Sequence, residues 1–134
     1  MNKTPPIKTV WPCLNCRDAR AMIRFLTGVF GFEERLVVPG ATEDQVAHAQ
    51  LSWPEGGGVM LGSAGRDESP FSRHPTGAAS IYAVTDRPDE LFDRAMEAGA
   101  RLVRGLRSED HGSRGFSVAD PEGNLWSFGT YRGE

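Results

Sequence analysis

The sequence has little of several features that would narrow its function. It contains only two cysteines and three histidines among 134 residues. No apolar run approaches the ~20 residues that cross a bilayer, and the N-terminal residues lack the apolar core of a signal peptide. We therefore expect a cytoplasmic protein that has no membrane partner and keeps its cysteines reduced.

An excess of one charge is also lacking. Fifteen Lys and Arg stand against 18 Asp and Glu, for a formal net charge of −3. No overall field favours nucleic acid as a partner. Hydrophobic residues make up 39% and charged residues 25% of the chain, which is typical of a folded domain. The length predicts a single domain that spans residues 1–134.

What the sequence does contain is one short motif twice. Residues 54–56 and 121–123 both read Pro-Glu-Gly, 67 positions apart, and each follows a run that alternates like a β-strand. At an offset of 68, Asp18 falls on Asp86. Both aspartates are predicted helix N-caps, because a short carboxylate can accept the free amides of the first turn. The two halves therefore read as copies of one module.

Each module reads as strand, helix, strand, strand, strand. Module one, about residues 7–63, has predicted strands near 7–14, 32–38, 45–53 and 58–63 and a helix near 18–30. Module two, about 77–131, has predicted strands near 78–84, 101–105, 113–119 and 124–131 and a helix near 86–98. The polar connector, about 64–76, contains two prolines, and a connector of this length often forms a lid or a partner surface. The predicted fold is α+β, with two βαβββ modules.

This pattern resembles the glyoxalase, bleomycin-resistance and extradiol-dioxygenase superfamily, also called the vicinal oxygen chelate superfamily. The resemblance rests on the two βαβββ modules, on Phe30-Gly31-Phe32 at the helix exit and on the closing DPEGNLWSFGTY, and it runs from about Thr9 to Tyr131. It implies curved mixed sheets that enclose a ligand cleft. The modules that form the cleft come from one chain or, by swapping, from two chains of a homodimer.

The resemblance also identifies positions where enzymes of the family hold a divalent metal, one His or Glu from each of four strands. In this chain those positions fall at Trp11, Leu61, Ala79 and Ser127. Three of these side chains have no atom that can donate a lone pair to a metal, and the serine hydroxyl is a weak ligand. The histidines share no ligand spacing such as i, i+4 on a helix. We therefore predict neither a metal nor another cofactor, as in metal-free bleomycin-resistance proteins.

The C-x-x-C motif formed by Cys13 and Cys16 could be a redox pair. Such chemistry needs a thiolate at the helix N-terminus, but Asp18 is the predicted cap, so both cysteines precede the helix. On an extended strand, residues three apart face opposite sides and cannot easily form a disulfide. We interpret both cysteines as structural.

Strand periodicity adds further candidates to the predicted cleft. Cys13 and Asn15 share the face of Trp11. His48 and Gln50 share one face of the third strand, which meets either the cleft or solvent. The arginines at positions 101, 104, 107 and 114, together with the loop 108–114, could bind an anionic group of a ligand. The predicted ligand-binding residues are Trp11, Cys13, Asn15, His48, Gln50, Leu61, Ala79, His111, Arg114, Phe116 and Ser127.

The predicted function is that of a metal-free protein that binds a small molecule. The resemblance implies sequestration of an aromatic or peptide antibiotic-like compound by a homodimer, and hence drug resistance or immunity. The alternative is a lyase, isomerase or dioxygenase of the same superfamily, with a displaced metal site or with His48 as general base. A third reading is an interaction domain whose cavity is vestigial.

Overall fold

The computed structural model describes residues 10–66, 69–110 and 112–133. Within these ranges the chain forms eight strands and two α-helices. Module one contains β1 (Cys13–Cys16), α1 (Ala19–Phe25), β2 (Glu33–Pro39), β3 (Val46–Ser52) and β4 (Gly58–Ser63). Module two contains β5 (Ser80–Val84), α2 (Pro88–Glu97), β6 (Arg101–Ser108), β7 (Arg114–Ala119) and β8 (Leu125–Gly129). A π-helical turn (Leu26–Phe30) follows α1, and a 3-10 turn (Pro70–Arg73) lies in the connector.

The predicted α+β fold with two βαβββ modules is confirmed. Each module forms one four-stranded mixed sheet, with strand order β1-β4-β3-β2 in sheet 1 and β5-β8-β7-β6 in sheet 2. The first and last strands of each module pair in parallel, and the other pairs are antiparallel. Within the described residues, no helix has the length and apolar character needed to cross a membrane.

Several element boundaries differ from the predicted ones, and α1 ends at Phe25, where the π-helical turn continues the predicted helix to Phe30. The predicted strand 7–14 begins outside the described residues, and β1 continues to Cys16. Strand β6 continues to Ser108, past its predicted end at 105. Asp18 caps α1 as predicted and accepts a hydrogen bond from Ala21 N at 3.0 Å. The predicted cap at Asp86 is wrong, because Arg87 is the cap residue of α2 and Pro88 supplies the preset φ of its first turn.

One cluster of buried side chains contains residues of both modules. Phe30, at the end of the π-helical turn, packs against Trp126 and Phe128 of β8 with ring centroids 5.3 and 4.7 Å apart. Trp53 packs against Phe32 at 5.0 Å and donates from Nε1 to the Val84 carbonyl at 2.8 Å. The modules therefore share a core, and the faces of the sheets turned toward it are apolar.

The opposite face of each sheet is here called its open face. Paired strands point their side chains to the same side, so the register identifies the residues of each open face. The open face of sheet 1 carries Cys13, Asn15, His48, Gln50 and Met60 by register, and Trp11 by its contact with Gly58. The open face of sheet 2 carries Ser80, Tyr82, Ser117, Leu125 and Ser127.

The glutamate of each Pro-Glu-Gly turn accepts hydrogen bonds from the backbone just before the helix of the other module. Glu55 of module one accepts a hydrogen bond from the backbone N–H of Asp86, just before α2, at 2.7 Å. Glu122 of module two accepts from Arg17 N at 2.7 Å and from Asp18 N at 2.9 Å, just before α1. A carboxylate at a helix N-terminus satisfies free N–H groups and interacts favourably with the helix dipole.

These contacts predict unequal effects of two matched substitutions. The Glu122 side chain is only 6% exposed and accepts two backbone hydrogen bonds, so Glu122→Ala is expected to lower the free energy of unfolding by about 2 kcal/mol. Glu55→Ala removes one bond at an exposed residue and should have a smaller effect. Urea denaturation followed by circular dichroism measures both, with Glu97→Ala on the exposed end of α2 as control. A Glu122→Ala protein as stable as the Glu97→Ala protein would contradict the capping role.

Candidate functional site

A cleft of about 650 Å³ lies on the open face of sheet 1. Strands β1, β3 and β4 contribute to it, together with the connector and the segments just before β5 and β8. Its apolar lining residues include Leu14, Ala47, Met60, Phe71, Pro75 and Ala78. A largely apolar concavity of this size with a few polar groups is typical of small-molecule sites.

Five of the predicted ligand-binding residues line this cleft, namely Cys13, Asn15, His48, Leu61 and Ala79. The side chain of Leu61 lies in the core, where the residue is only 3% exposed and pairs with Ala49. The side chain that β4 directs into the cleft is that of Met60, which lies beside Cys13 in the parallel register. Sequence reasoning missed Met60 because Val59, Met60 and Leu61 are all apolar, so β4 shows no alternation that fixes its face.

The connector forms one wall of the cleft. Asn15 on β1 donates from Nδ2 to the carbonyl oxygens of Ser72, at 3.0 Å, and of His74. These bonds hold the 3-10 turn of the connector alongside β1. Phe71, which is 75% exposed, lies at the cleft with its ring uncovered. The length of the connector and its solitary Phe71 were the only sequence signals for this wall.

His48 and Gln50 are neighbours on the open face of sheet 1. Gln50 Nε2 lies 2.9 Å from His48 Nε2. The donor in this hydrogen bond depends on the tautomer of the ring, and Gln50 donates to Nε2 in the tautomer that carries its proton on Nδ1. His48 lines the cleft and Gln50 orients its ring from outside the lining. The pair gives the cleft one positioned polar group.

Trp11 lies on the same open face, next to the cleft. A Cβ added to Gly58 would lie 2.8 Å from ring atom Cζ3 of Trp11, so the indole packs directly on the Gly58 backbone. Any larger residue at position 58 would displace this ring. The flat indole ring of Trp11 therefore lies over the first residue of β4, beside the residues that line the cleft.

The remaining predicted residues lie elsewhere. Ser127 is on the open face of sheet 2, with its Oγ 2.7 Å from Ser117 Oγ. Phe116 is 2% exposed and packs in the core against Phe92 and Phe128, because its register on β7 directs it toward α2. His111 lies outside the described residues.

Arg114 points to the helix side of sheet 2. Its Nε and Nη2 donate to the two carboxylate oxygens of Asp89 on α2 at 2.8 and 3.1 Å. These hydrogen bonds lower the pKa of the Asp89 carboxyl and raise the pKa of the Arg114 guanidinium. Arg114 thus ties β7 to α2 in this structure.

The two cysteines face opposite sides of β1. Cys16 is fully buried against the core, and burial raises the pKa of its thiol to about 12, with smaller contributions from the nearby Glu122, Asp120 and Asp18. Cys13 is exposed at the cleft, and neither cysteine forms a disulfide. A thiol with so high a pKa stays protonated at neutral pH, so Cys16 is not a thiolate nucleophile.

The chain belongs to the Glyoxalase/Bleomycin resistance protein/Dioxygenase superfamily, whose family model matches residues 8–128. An uncharacterized protein of Mycobacterium tuberculosis is 36% identical over 124 residues, which cover 88% of this chain and 71% of that protein. TioX from Micromonospora sp. ML1 is 28% identical with a TM-score of 0.75, over 90% of this chain and 98% of that one. Lactoylglutathione lyase from Agrobacterium tumefaciens is similar in fold, with 22% identity and a TM-score of 0.69 over 93% of this chain and 94% of that one.

The described part of the chain contains no set of ligands for the metal that enzymes of this superfamily hold. In residues 10–66, 69–110 and 112–133, no three His, Cys, Asp or Glu side chains come together in a group that could hold an ion. On the open face of sheet 1, Trp11 just before β1 and Met60 on β4 are large side chains without an oxygen or nitrogen lone pair for a metal. The residues that the structure describes therefore do not fit a catalytic metal, which needs three protein ligands.

Proposed function

We propose that the protein is a metal-free binding protein that sequesters a small aromatic or peptide antibiotic-like molecule. The observation that carries this proposal is the cleft of about 650 Å³ on sheet 1, whose floor is apolar. Binding of this kind needs shape, apolar area and a few oriented polar groups, and it needs no reactive residue. Drug resistance or immunity would then follow from mass action.

The lining supports an aromatic ligand in particular. Met60 supplies an adaptable, polarizable surface, and sulfur packs favourably against aromatic rings. The exposed ring of Phe71 lies at the same cleft, where a flat ligand would cover it. In the tautomer in which Gln50 donates to Nε2, His48 orients the ligand by a hydrogen bond from Nδ1. The superfamily's own description, which includes bleomycin resistance proteins, supports the same class of ligand.

The proposal is tested by ligand binding to the whole protein. Flat aromatic and glycopeptide antibiotics are titrated while tryptophan fluorescence and the melting temperature are recorded. A ligand at a concentration of about 100 Kd should stabilise the fold by about 2.7 kcal/mol. Met60→Glu, which puts a charge on the apolar floor, should weaken binding at least about tenfold, while the matched Met60→Leu should leave it nearly unchanged. No binder in a broad panel, or equal affinities in both variants, would overturn the proposal.

One observation favours a second candidate, an enzyme that uses His48 as general base. His48 lines the cleft, and its ring can act as a base in the tautomer in which Nε2 donates to the Gln50 amide oxygen and Nδ1 is unprotonated. Turnover of the methylglyoxal–glutathione adduct with added nickel or zinc tests the lyase form of this alternative. Turnover that is lost in His48→Gln would replace the binding proposal by an enzymatic one. The homodimer, with or without swapped modules, stays a prediction.

A further inference from the structure

The side-chain amide of Asn15 uses both of its N–H donors on the connector. Nδ2 donates to the Ser72 carbonyl at 3.0 Å and to the His74 carbonyl. Carbonyl oxygens only accept, so the amide nitrogen is the atom that faces them, and an amide nitrogen carries two hydrogens. Asn15 lies among the residues that line the cleft, yet it has no N–H left to offer a ligand.

The second half of the connector, residues 69–76, has few other attachments to the sheets. Among the described residues, the hydrogen bonds that join this segment to a strand are the two from Asn15. Its other bonds lie within the connector. The Ser72 carbonyl accepts from Gly65 N at 3.0 Å, and Ser72 Oγ donates to the Ser69 carbonyl at 2.8 Å. These internal bonds give the segment its shape, whereas Asn15 decides where it lies relative to β1.

Two prolines limit the conformations that the segment can adopt. Pro70 lies in the first turn of the 3-10 turn, and Pro75 follows His74. Each proline ring fixes φ near about −65°. His74 is extended, with ψ 152°, which is the conformation favoured before a proline. Because so few backbone angles are free, one side chain is enough to hold the segment in place.

The position of Phe71 depends on this attachment. Phe71 precedes Ser72, is 75% exposed and lies at the cleft, whereas Ser72 is only 4% exposed. The segment therefore has a covered side and a side that faces the cleft. Among the described residues, no other aromatic ring contacts Phe71. The backbone of the segment, and not the packing of the ring, thus determines where the phenyl group lies.

We propose that Asn15 is a positioning residue, which holds residues 69–76 against β1 and thereby places Phe71 over a ligand in the cleft. The inference rests on the binding function proposed for the cleft. It gives Asn15 a role that differs from the predicted contact with the ligand, because Asn15 acts through the wall of the cleft. Phe71 covers the ligand only while the segment is held, so the effects of Asn15 and Phe71 on affinity should depend on each other.

Limited digestion with trypsin tests the attachment without any ligand. Arg73 lies in the segment and is exposed. Asn15→Asp keeps the size of the side chain but turns an acceptor toward two carbonyl oxygens, so cleavage after Arg73 should become at least about tenfold faster. Asn15→Ala, which also lacks the donors, should act in the same direction. Arg24→Gln, on exposed α1, makes the net charge more negative as Asn15→Asp does and should leave the rate unchanged. Circular dichroism confirms that all three variants are folded.

Ligand binding tests whether Asn15 acts through Phe71. The probe is N-phenyl-1-naphthylamine, a flat apolar molecule whose fluorescence rises when it leaves water. Loss of its binding in Met60→Glu shows that it occupies the cleft. Phe71→Ala and Asn15→Ala should each raise its Kd about fivefold. The variant that carries both substitutions should bind no more weakly than Phe71→Ala, since the ring that Asn15 positions is already gone.

The two measurements fail in different ways. Equal cleavage rates after Arg73 in Asn15→Asp and the natural protein would show that Asn15 does not hold the segment. Effects on Kd that multiply in the double variant would show that Asn15 contacts the ligand by itself. No binding of the probe, or equal binding in Met60→Glu, would overturn the function proposed for the cleft and the role of Phe71 with it. The trypsin rates then still decide whether Asn15 holds the segment.

Discussion

Asp120→Ala is expected to lower the free energy of unfolding by about 4 kcal/mol. The carboxylate is 5% exposed and accepts four hydrogen bonds, from Glu122 N, Asn124 N, Asn124 Nδ2 and Trp126 Nε1, at 2.8 to 3.0 Å. Hydrogen bonds to a charged acceptor contribute about 1.5–3 kcal/mol each, though not additively. The alanine variant also leaves the buried indole N–H of Trp126 without an acceptor, which adds a desolvation cost.

The effect of this substitution should extend beyond the turn. Asn124, held by Asp120, accepts from Ala79 N at 2.9 Å and so positions the start of β5 at the cleft. Glu122, in the same turn, receives the N–H groups that precede α1. Loss of the Asp120 carboxylate therefore weakens a module contact and the rim of the cleft at once.

Two variants make the Asp120 measurement specific. Asp120→Asn keeps an oxygen for two of the bonds but turns an amide toward the donors of Asn124 and Trp126, so it should be intermediate. Asp93→Ala, on the exposed side of α2, should change the free energy of unfolding by less than about 0.5 kcal/mol. Urea denaturation with tryptophan fluorescence compares them. The hydrogen-bond argument fails if Asp120→Ala and Asp93→Ala unfold at the same urea concentration.

The order of strands and helices in each module could be predicted because each of the sequence signals for it is local. The Pro-Glu-Gly turns, the apolar helical stripes and the strand alternation act within a few residues, and the family resemblance supplied the way two modules combine. Asp18 capped its helix as predicted. Its counterpart Asp86 did not, because Pro88 moves the start of α2 by one residue.

The candidate site was less predictable, since it depends on contacts between distant segments. The apolar run in β4 does not reveal which of Met60 and Leu61 faces the cleft. The wall formed by the connector depends on Asn15 binding carbonyl oxygens 57 and 59 residues away. The register of β6 shifts after Leu102 and again after Arg104, and a periodic pattern cannot show such irregularities.

The shared core explains why the modules are expected to unfold together. Phe30 belongs to module one by sequence, yet the residue is 2% exposed and two of its ring neighbours, Trp126 and Phe128, belong to module two. Its third ring neighbour is Phe25 of α1, at 5.0 Å. Neither sheet can keep its apolar face covered if this contact is lost, so a single cooperative transition is expected.

Phe30→Ala is accordingly expected to lower the free energy of unfolding by about 4 kcal/mol, because it removes a buried ring and leaves a cavity between the modules. Phe30→Leu should cost about 1–1.5 kcal/mol, since it fills most of that volume. Phe71→Ala removes the same side chain from a residue that is 75% exposed and should be within about 0.5 kcal/mol of the natural protein. Urea denaturation is followed by both tryptophan fluorescence and circular dichroism. Equal stability of Phe30→Ala and Phe71→Ala, or separate transitions by the two probes in the natural protein, would show that the modules do not depend on this ring.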